Sequence, residues 1–365
     1  MTLLTYCTNI HPGESWDETF ANVRTHVLAV KTAVAPARPF PIGLRLSQQA
    51  AMAIDEPTAQ SFQEWCAAHD CYVPTINGFP FGAFHATPVK EQVYLPDWRA
   101  TARRDYTNRL AELLDFWLPT GVIGSISTVP VGFKAHVHSD EYGLVRQNLL
   151  ATLEQLDRLR QKSGKRIVLA LEPEPACVLA TVPDLVIFLE RLQFPPGLRD
   201  GIGICFDCCH LAVEFETPAQ SLELLAQAGI PIGKVQISSA LRLEGGDHAV
   251  AKQFLDPCYL HQVVIQAQDD NLVHYDDLPQ ALRAHASKIG EEWRVHFHVP
   301  IFIEKTELYG TTQFFIEATL PLLDPSLLLE VETYTWQVLP AELRTKTVTE
   351  SIIREIQWLQ RKQKI

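Results

Sequence analysis

Short apolar runs alternate with segments of helical spacing along most of the chain, the pattern that βα repeats around a parallel sheet produce. The runs at 3–8, 41–46, 72–76, 122–128, 166–171, 202–206, 234–238 and 327–333 predict eight principal strands. The fifth, Arg166-Ile-Val-Leu-Ala-Leu171, is the clearest, because a strand covered on both faces reads as an unbroken apolar run. Between the strands, one helix is predicted from near Ser15, with Trp16, Phe20, Val23 and Val27 on one face, and another ends near His69. Further helices are predicted over 99–118, 139–162, 181–193, 217–228 and 311–320. The rhythm breaks once. Residues 240–292 read as a long polar, partly helical insertion, followed by the alternating run 294–302. The best fit is an α/β fold, a (β/α)8 TIM barrel in one domain over 1–365, with an insertion at 240–302 inside the seventh βα connection.

Composition narrows the function classes. Hydrophobic residues make up 47% of the chain, enough for a sizeable core. The balance of 31 basic against 43 acidic residues, −12 overall, argues against a nucleic-acid backbone as partner. The first seven residues lack a basic region and a long apolar run, so they are read as a strand and not a signal peptide. No apolar stretch reaches the length of a membrane span, and a cytoplasmic protein is expected. Cys205-x-x-Cys208 has no second C-x-x-C to pair with, so the eight cysteines are read as buried, reduced thiols.

In a barrel of this kind the chemistry sits at the carboxyl ends of the strands. Glu172 ends the fifth strand, Asp207 ends the sixth with His210 three residues on, Gln236 lies late in the seventh, and Glu332 ends the eighth. Any one carboxylate there could pair with a Lys or Arg at the mouth. Several converging on one cavity repel unless a cation relieves them, and a divalent metal is the economical answer. His296-Phe-His298 points two imidazoles to one side of an extended segment, a spacing suited to zinc, iron or manganese. His11 and His85 are candidates for lining the site, while His136 and His138 are read as structural or surface residues.

The pattern of Glu172, Asp207-x-x-His210 and Glu332 resembles the xylose isomerase-like TIM-barrel superfamily, over most of the barrel. Asn77-Gly-Phe-Pro-Phe-Gly82, Leu171-Glu-Pro-Glu-Pro175 and Leu329-Glu-Val-Glu-Thr-Tyr-Thr-Trp336 resemble, from end to end of the chain, the bacterial family called metabolite traffic protein EboE. The superfamily resemblance implies Glu172, Asp207 and Glu332 as metal ligands, with His210 as a ligand or a ligand's partner. His296-x-His298 looks like the Asp-x-His pair of some apurinic endonucleases, with His in place of Asp. Two departures stand out: Gln236 occupies the place where isomerases and epimerases often carry a His, and Ser238-Ser239 follow in place of a catalytic Lys.

The leading expectation is a metal-dependent enzyme acting on a small hydroxylated or carbonyl metabolite by isomerase or epimerase chemistry. Glu172 or Glu332 would shuttle the proton beside a metal-polarised carbonyl. Asn77, Phe79, Tyr334 and Trp336, with His11 and His85, would bind substrate. A second expectation, from the EboE resemblance, is a non-catalytic carrier handing a secondary-metabolite precursor to protein partners of an export pathway. A third is a metal-dependent phosphodiester hydrolase, which the acidic balance disfavours. The insertion would cover the site or build an oligomer contact.

Overall fold

The computed structural model describes residues 3–85, 88–244, 249–285 and 288–363; the expected insertion therefore includes two short stretches, 245–248 and 286–287, outside them. Eight parallel strands form the barrel: β1 (Leu3–Tyr6), β2 (Phe40–Arg45), β3 (Cys71–Asn77), β4 (Gly124–Thr128), β5 (Ile167–Leu171), β6 (Ile202–Asp207), β7 (Ile232–Ile237) and, after the connection described below, β13 (Leu328–Val331). They run in the order β1-β13-β7-β6-β5-β4-β3-β2, and a bridge between Cys7 and Gly43 brings the last strand back to the first. The helices expected between the strands are present, among them Thr101–Trp117, Tyr142–Ser163 and Val182–Leu192, and their apolar faces pack on the outside of the barrel. A further helix, Val348–Gln363, follows the last strand and packs on the barrel through Ile352, Ile356 and Leu359.

The connection between β7 and β13 differs from the polar, partly helical segment that the sequence suggests. It contains β8 (Ser239–Glu244), β9 (Val263–Gln266), β10 (Leu272–Tyr275), β11 (Glu292–Val299) and β12 (Gly310–Thr311), an antiparallel sheet in the order β10-β9-β11-β8-β12. Its apolar residues are spaced two apart, so they share one face: Leu241 and Leu243, Val263 and Ile265, and Trp293, Val295 and Phe297 form a second core. The polar residues of those strands, which made the segment read as a polar insertion, occupy the other face. Helical structure there is confined to short pieces such as Leu278–Ala284.

Alternation along β11 decides what this sheet does for the barrel. Val295, Phe297 and Val299 enter the second core, so His296 and His298 turn the opposite way, both almost fully buried, over the barrel mouth. The barrel interior itself is polar near that mouth. Thr75, Asn77, Ser125, Ser127, Lys234, Gln236 and Glu330 are all buried there. Gly43 makes room for one of them: a Cβ on it would lie 1.9 Å from Glu330 Oε1 and 2.5 Å from the Tyr6 carbonyl oxygen.

Candidate active site and metal centre

Strand register assembles the centre. Asp207 of β6 and Glu330 of β13 both stand opposite Gln236 of β7. Glu332 and Glu172 lie one step past their strands and continue the ladder, through Glu332 N to Ile237 O (3.2 Å) and Glu172 N to Thr128 O (3.1 Å). The side chains of Glu172, Asp207 and Glu332 are thereby brought together, each offering an oxygen within 4.8 Å of the others, all buried. The Asp207-x-x-His210 spacing has a local cause. Asp207 caps the turn Cys208–Val213, its Oδ1 accepting from the His210 backbone N–H at 2.9 Å, which fixes the imidazole one turn above the carboxylate. Ser238 Oγ donates to the same oxygen at 2.8 Å, and Ser238 in turn accepts from the Cys209 N–H.

Gln236 lies at the centre of the carboxylates. Its Nε2 donates to Glu172 Oε1 (3.2 Å), Asp207 Oδ2 (3.1 Å) and Glu332 Oε2, while its Oε1 accepts from Cys205 Sγ. Asn9 and Asn77 complete the ring, both donating to Glu332 Oε1, at 2.7 and 3.3 Å. Burial, then the charges of Glu332 and Asp207, pushes the Glu172 carboxyl well above its usual range; burial and Asp207 push Glu332 up as well. Lys234, at Glu330 beneath them, partly offsets both shifts. Three carboxylates answered by so little positive charge are what a divalent cation stabilises.

The histidines are oriented in a common way. His210 Nδ1 donates to the Pro173 carbonyl (3.0 Å), His296 Nδ1 to Gln262 Oε1 (2.7 Å) and His298 Nδ1 to the Glu332 carbonyl (2.8 Å). Each acceptor is an oxygen without a proton, so each ring carries a proton on Nδ1 and turns Nε2 inward. This is how protein oxygens orient metal-bound imidazoles. His298 Nε2 is buried with no partner, and His210 Nε2 faces His296 Nε2 at 3.1 Å. Two lone pairs at that distance require a proton or a metal between them. Burial opposes charge on His210, but Asp207, Glu174 and Glu332 outweigh it and hold its pKa above the usual histidine value. Burial and the neighbouring imidazoles push His296 well below. Asp207, His210 and His298 form one close donor set, and Glu174, His210 and His296 another.

The residues fit a divalent metal on these grounds: a buried carboxylate trio, an unpartnered Glu172 Oε2, and an unpartnered His298 Nε2 already aimed inward. The Gln236 amide nitrogen is the one donor facing the wrong way. A half-turn of the amide would present Oε1 instead.

Above this floor lies a cavity with an empty volume of about 520 Å³, open towards solvent. Of the residues expected to bind substrate, Asn77, Phe79 and Tyr334 line it. His11, His85 and Trp336 are not among the described lining residues. His11 is stacked on His26 at 4.1 Å and bonds the Tyr6 hydroxyl, and Trp336 Nε1 donates to Thr345 Oγ1. His136 is half-buried and His138 exposed, and neither is among the described residues that line the cavity or form the donor clusters. Glu174, Tyr94, Gln262 and Asn9 had not been singled out. Glu174 shares the Glu-Pro-Glu motif with Glu172 and accepts from Tyr94 Oη at 2.7 Å; Asn9 lies in the short turn Thr8–Ile10 just past the first strand, where the strand-end rule applies. Tyr94 and Gln262 carry no sequence signal. All eight cysteines are free, seven of them buried. Among the described residues no helix is long and apolar enough to cross a membrane.

No protein-family model and no curated protein sequence matches the chain. Solved structures do. The chain is similar to a probable 3-DHS dehydratase, AsbF, involved in petrobactin synthesis from Bacillus anthracis, at 14% identity and TM-score 0.53, covering 98% of each chain. It is similar to the IOLI protein with a binding zinc atom, at 15% identity and TM-score 0.51, over 98% of this chain and 96% of that one. A xylose isomerase-like TIM-barrel protein from Mycobacterium smegmatis in complex with magnesium matches at 12% identity and TM-score 0.54, over 99% and 96%. At these identities the likeness establishes architecture: the chain has the fold of the xylose isomerase-like TIM barrels.

Proposed function

We propose that the chain is a metal-dependent enzyme acting on a small hydroxylated or carbonyl metabolite by isomerase- or epimerase-type proton transfer. The observation that carries this reading is the buried trio Glu172, Asp207 and Glu332, with oxygens within 4.8 Å of one another at the carboxyl end of the barrel. Glu172, Asp207 and Glu332, with His298, are the residues that would hold the ion, and mixed carboxylate and imidazole donors suit zinc, manganese or iron. When bound, the metal would supply Lewis-acid polarisation of a carbonyl or hydroxyl oxygen. Glu172 or Glu332, held above the usual carboxylate range by burial, is placed to take a proton from the adjacent carbon and return it. Asn9 and Asn77 hold Glu332 in position, and the neighbouring β11 sheet keeps bulk water from the His210–His296 side. The zinc-bound and magnesium-bound structures of similar fold support the metal assignment.

One observation favours a second reading, a carrier without catalysis. The Gln236 amide already donates to all three carboxylates, so they can be held without an ion. Elemental analysis of purified protein separates the two. About one equivalent of metal in the wild type and a background level in Asp207→Ala is expected; equal content in both sinks the metal reading.

A further inference from the structure

The upper walls of the cavity differ in character from its floor. Phe84 from the loop after β3, Tyr259 from the β8–β9 connection and Tyr334 from the turn after β13 meet in a cluster, with ring centroids 5.2–5.4 Å apart. Phe79 and Tyr94 continue the aromatic surface, 5.9 Å apart edge to face, and Leu260 adds an aliphatic edge. A polyhydroxylated sugar would leave its outer hydroxyls against these ring faces with few partners, and unmet polar groups weaken binding.

Charge points the same way. Lys90 is the single basic side chain among the described lining residues apart from the histidines. Its ammonium has three protons and uses all three, donating to Asp277 Oδ2 (2.7 Å), Tyr259 O (2.7 Å) and Asp256 O (3.1 Å). The other charged lining groups are the carboxylates of Glu172, Glu174 and Glu332. A phosphate or carboxylate at the outer end of a ligand would find no free cation there and a negative floor below.

We infer that the ligand is a neutral molecule with a compact head of adjacent oxygens and an apolar ring as its body, and not a sugar phosphate. The head meets the carboxylate and histidine floor and the ring lies between Phe79, Phe84, Tyr94, Tyr259 and Tyr334. The inference rests on the metal-enzyme reading only for the head; the body is specified by the walls alone. Three ligands sharing one hydroxyketone head test it: α-hydroxyacetophenone, dihydroxyacetone and dihydroxyacetone phosphate, titrated calorimetrically into metal-replete protein. The phenyl ketone is expected to bind at least about tenfold more tightly than either of the others. Phe84→Ser should shrink its advantage over dihydroxyacetone about tenfold, with Tyr259→Ser as the second variant should the first fail to fold. Tighter binding of the phosphate, an advantage untouched by both variants, or no binding of any of the three to metal-loaded protein overturns the inference. Protein that holds no metal yet prefers the phenyl ketone through Phe84 would instead defeat the metal reading and leave this one standing.

Discussion

Replacing Lys234 by Met tests the electrostatic foundation of the site. Lys234 and Glu330 are both fully buried and in direct contact inside the barrel, one layer below Gln236 and Glu332. At ~3 Å and an effective dielectric constant of ~20, their attraction is ~5 kcal/mol, and desolvation of the two ions offsets much of it. The pair as a whole therefore contributes little net stability. Breaking it does not. Glu330 Oε1 already has no hydrogen-bond partner, and without the ammonium the whole carboxylate is buried uncompensated near Glu332 and Cys7. A loss of ~3–5 kcal/mol is expected for Lys234→Met at pH 7, a large part of a typical folding stability. Adding Glu330→Gln to Lys234→Met removes the orphaned charge and should restore at least half of the loss. Urea denaturation of the wild type, both single variants and the double variant gives the cycle. A single-variant loss under ~1 kcal/mol, or a double variant no more stable than Lys234→Met, would refute the reasoning.

Two further predictions concern other buried groups. Glu355, on the last helix, accepts from Thr333 Oγ1 (2.6 Å) and Ile301 N (3.1 Å), and burial raises its pKa to about 7 against those bonds. A carboxyl raised on folding stabilises below its unfolded pKa and loses that contribution as the pH rises through its folded value. Stability should thus fall by about 3 kcal/mol between roughly pH 4.5 and 7, and Glu355→Gln should flatten that slope in pH-dependent thermal melts. Gln236→His replaces an amide whose nitrogen opposes a cation with a ligand type that favours one, and should tighten metal binding by about tenfold or more in a chelator competition. Weaker binding in that variant would mean that the ion, if bound, sits away from β7.

The barrel was legible because period and strand ends carry it. Apolar runs such as 166–171 can only be strands covered on both faces, and a polar residue at the end of such a run points into the mouth. Asp207-x-x-His210 was legible for a more local reason than metal chemistry: the cap of a short helical turn places N3 beside the capping carboxylate whatever else is nearby. The β8–β12 sheet was not legible, because its central strands β9 and β11 are largely buried on both faces. One side is a core, and on the other His296 and His298 turn over the barrel mouth, so these polar residues serve the site rather than solvent. His296 and His298 show the ambiguity. Two-residue spacing fixed that they point the same way, but only the packing of Val295 and Phe297 on the second core decides that this way is inward. His11 carried the same letter and the same strand-end position, yet its ring stacks on His26 from a neighbouring helix, a contact between residues that no spacing rule connects. What the fold adds to the residue list is orientation. Three imidazoles each spend the Nδ1 proton on a protein oxygen and leave Nε2 inward. The inward Nε2 atoms, with that of His298 buried and unpartnered, stand where a cation would be held.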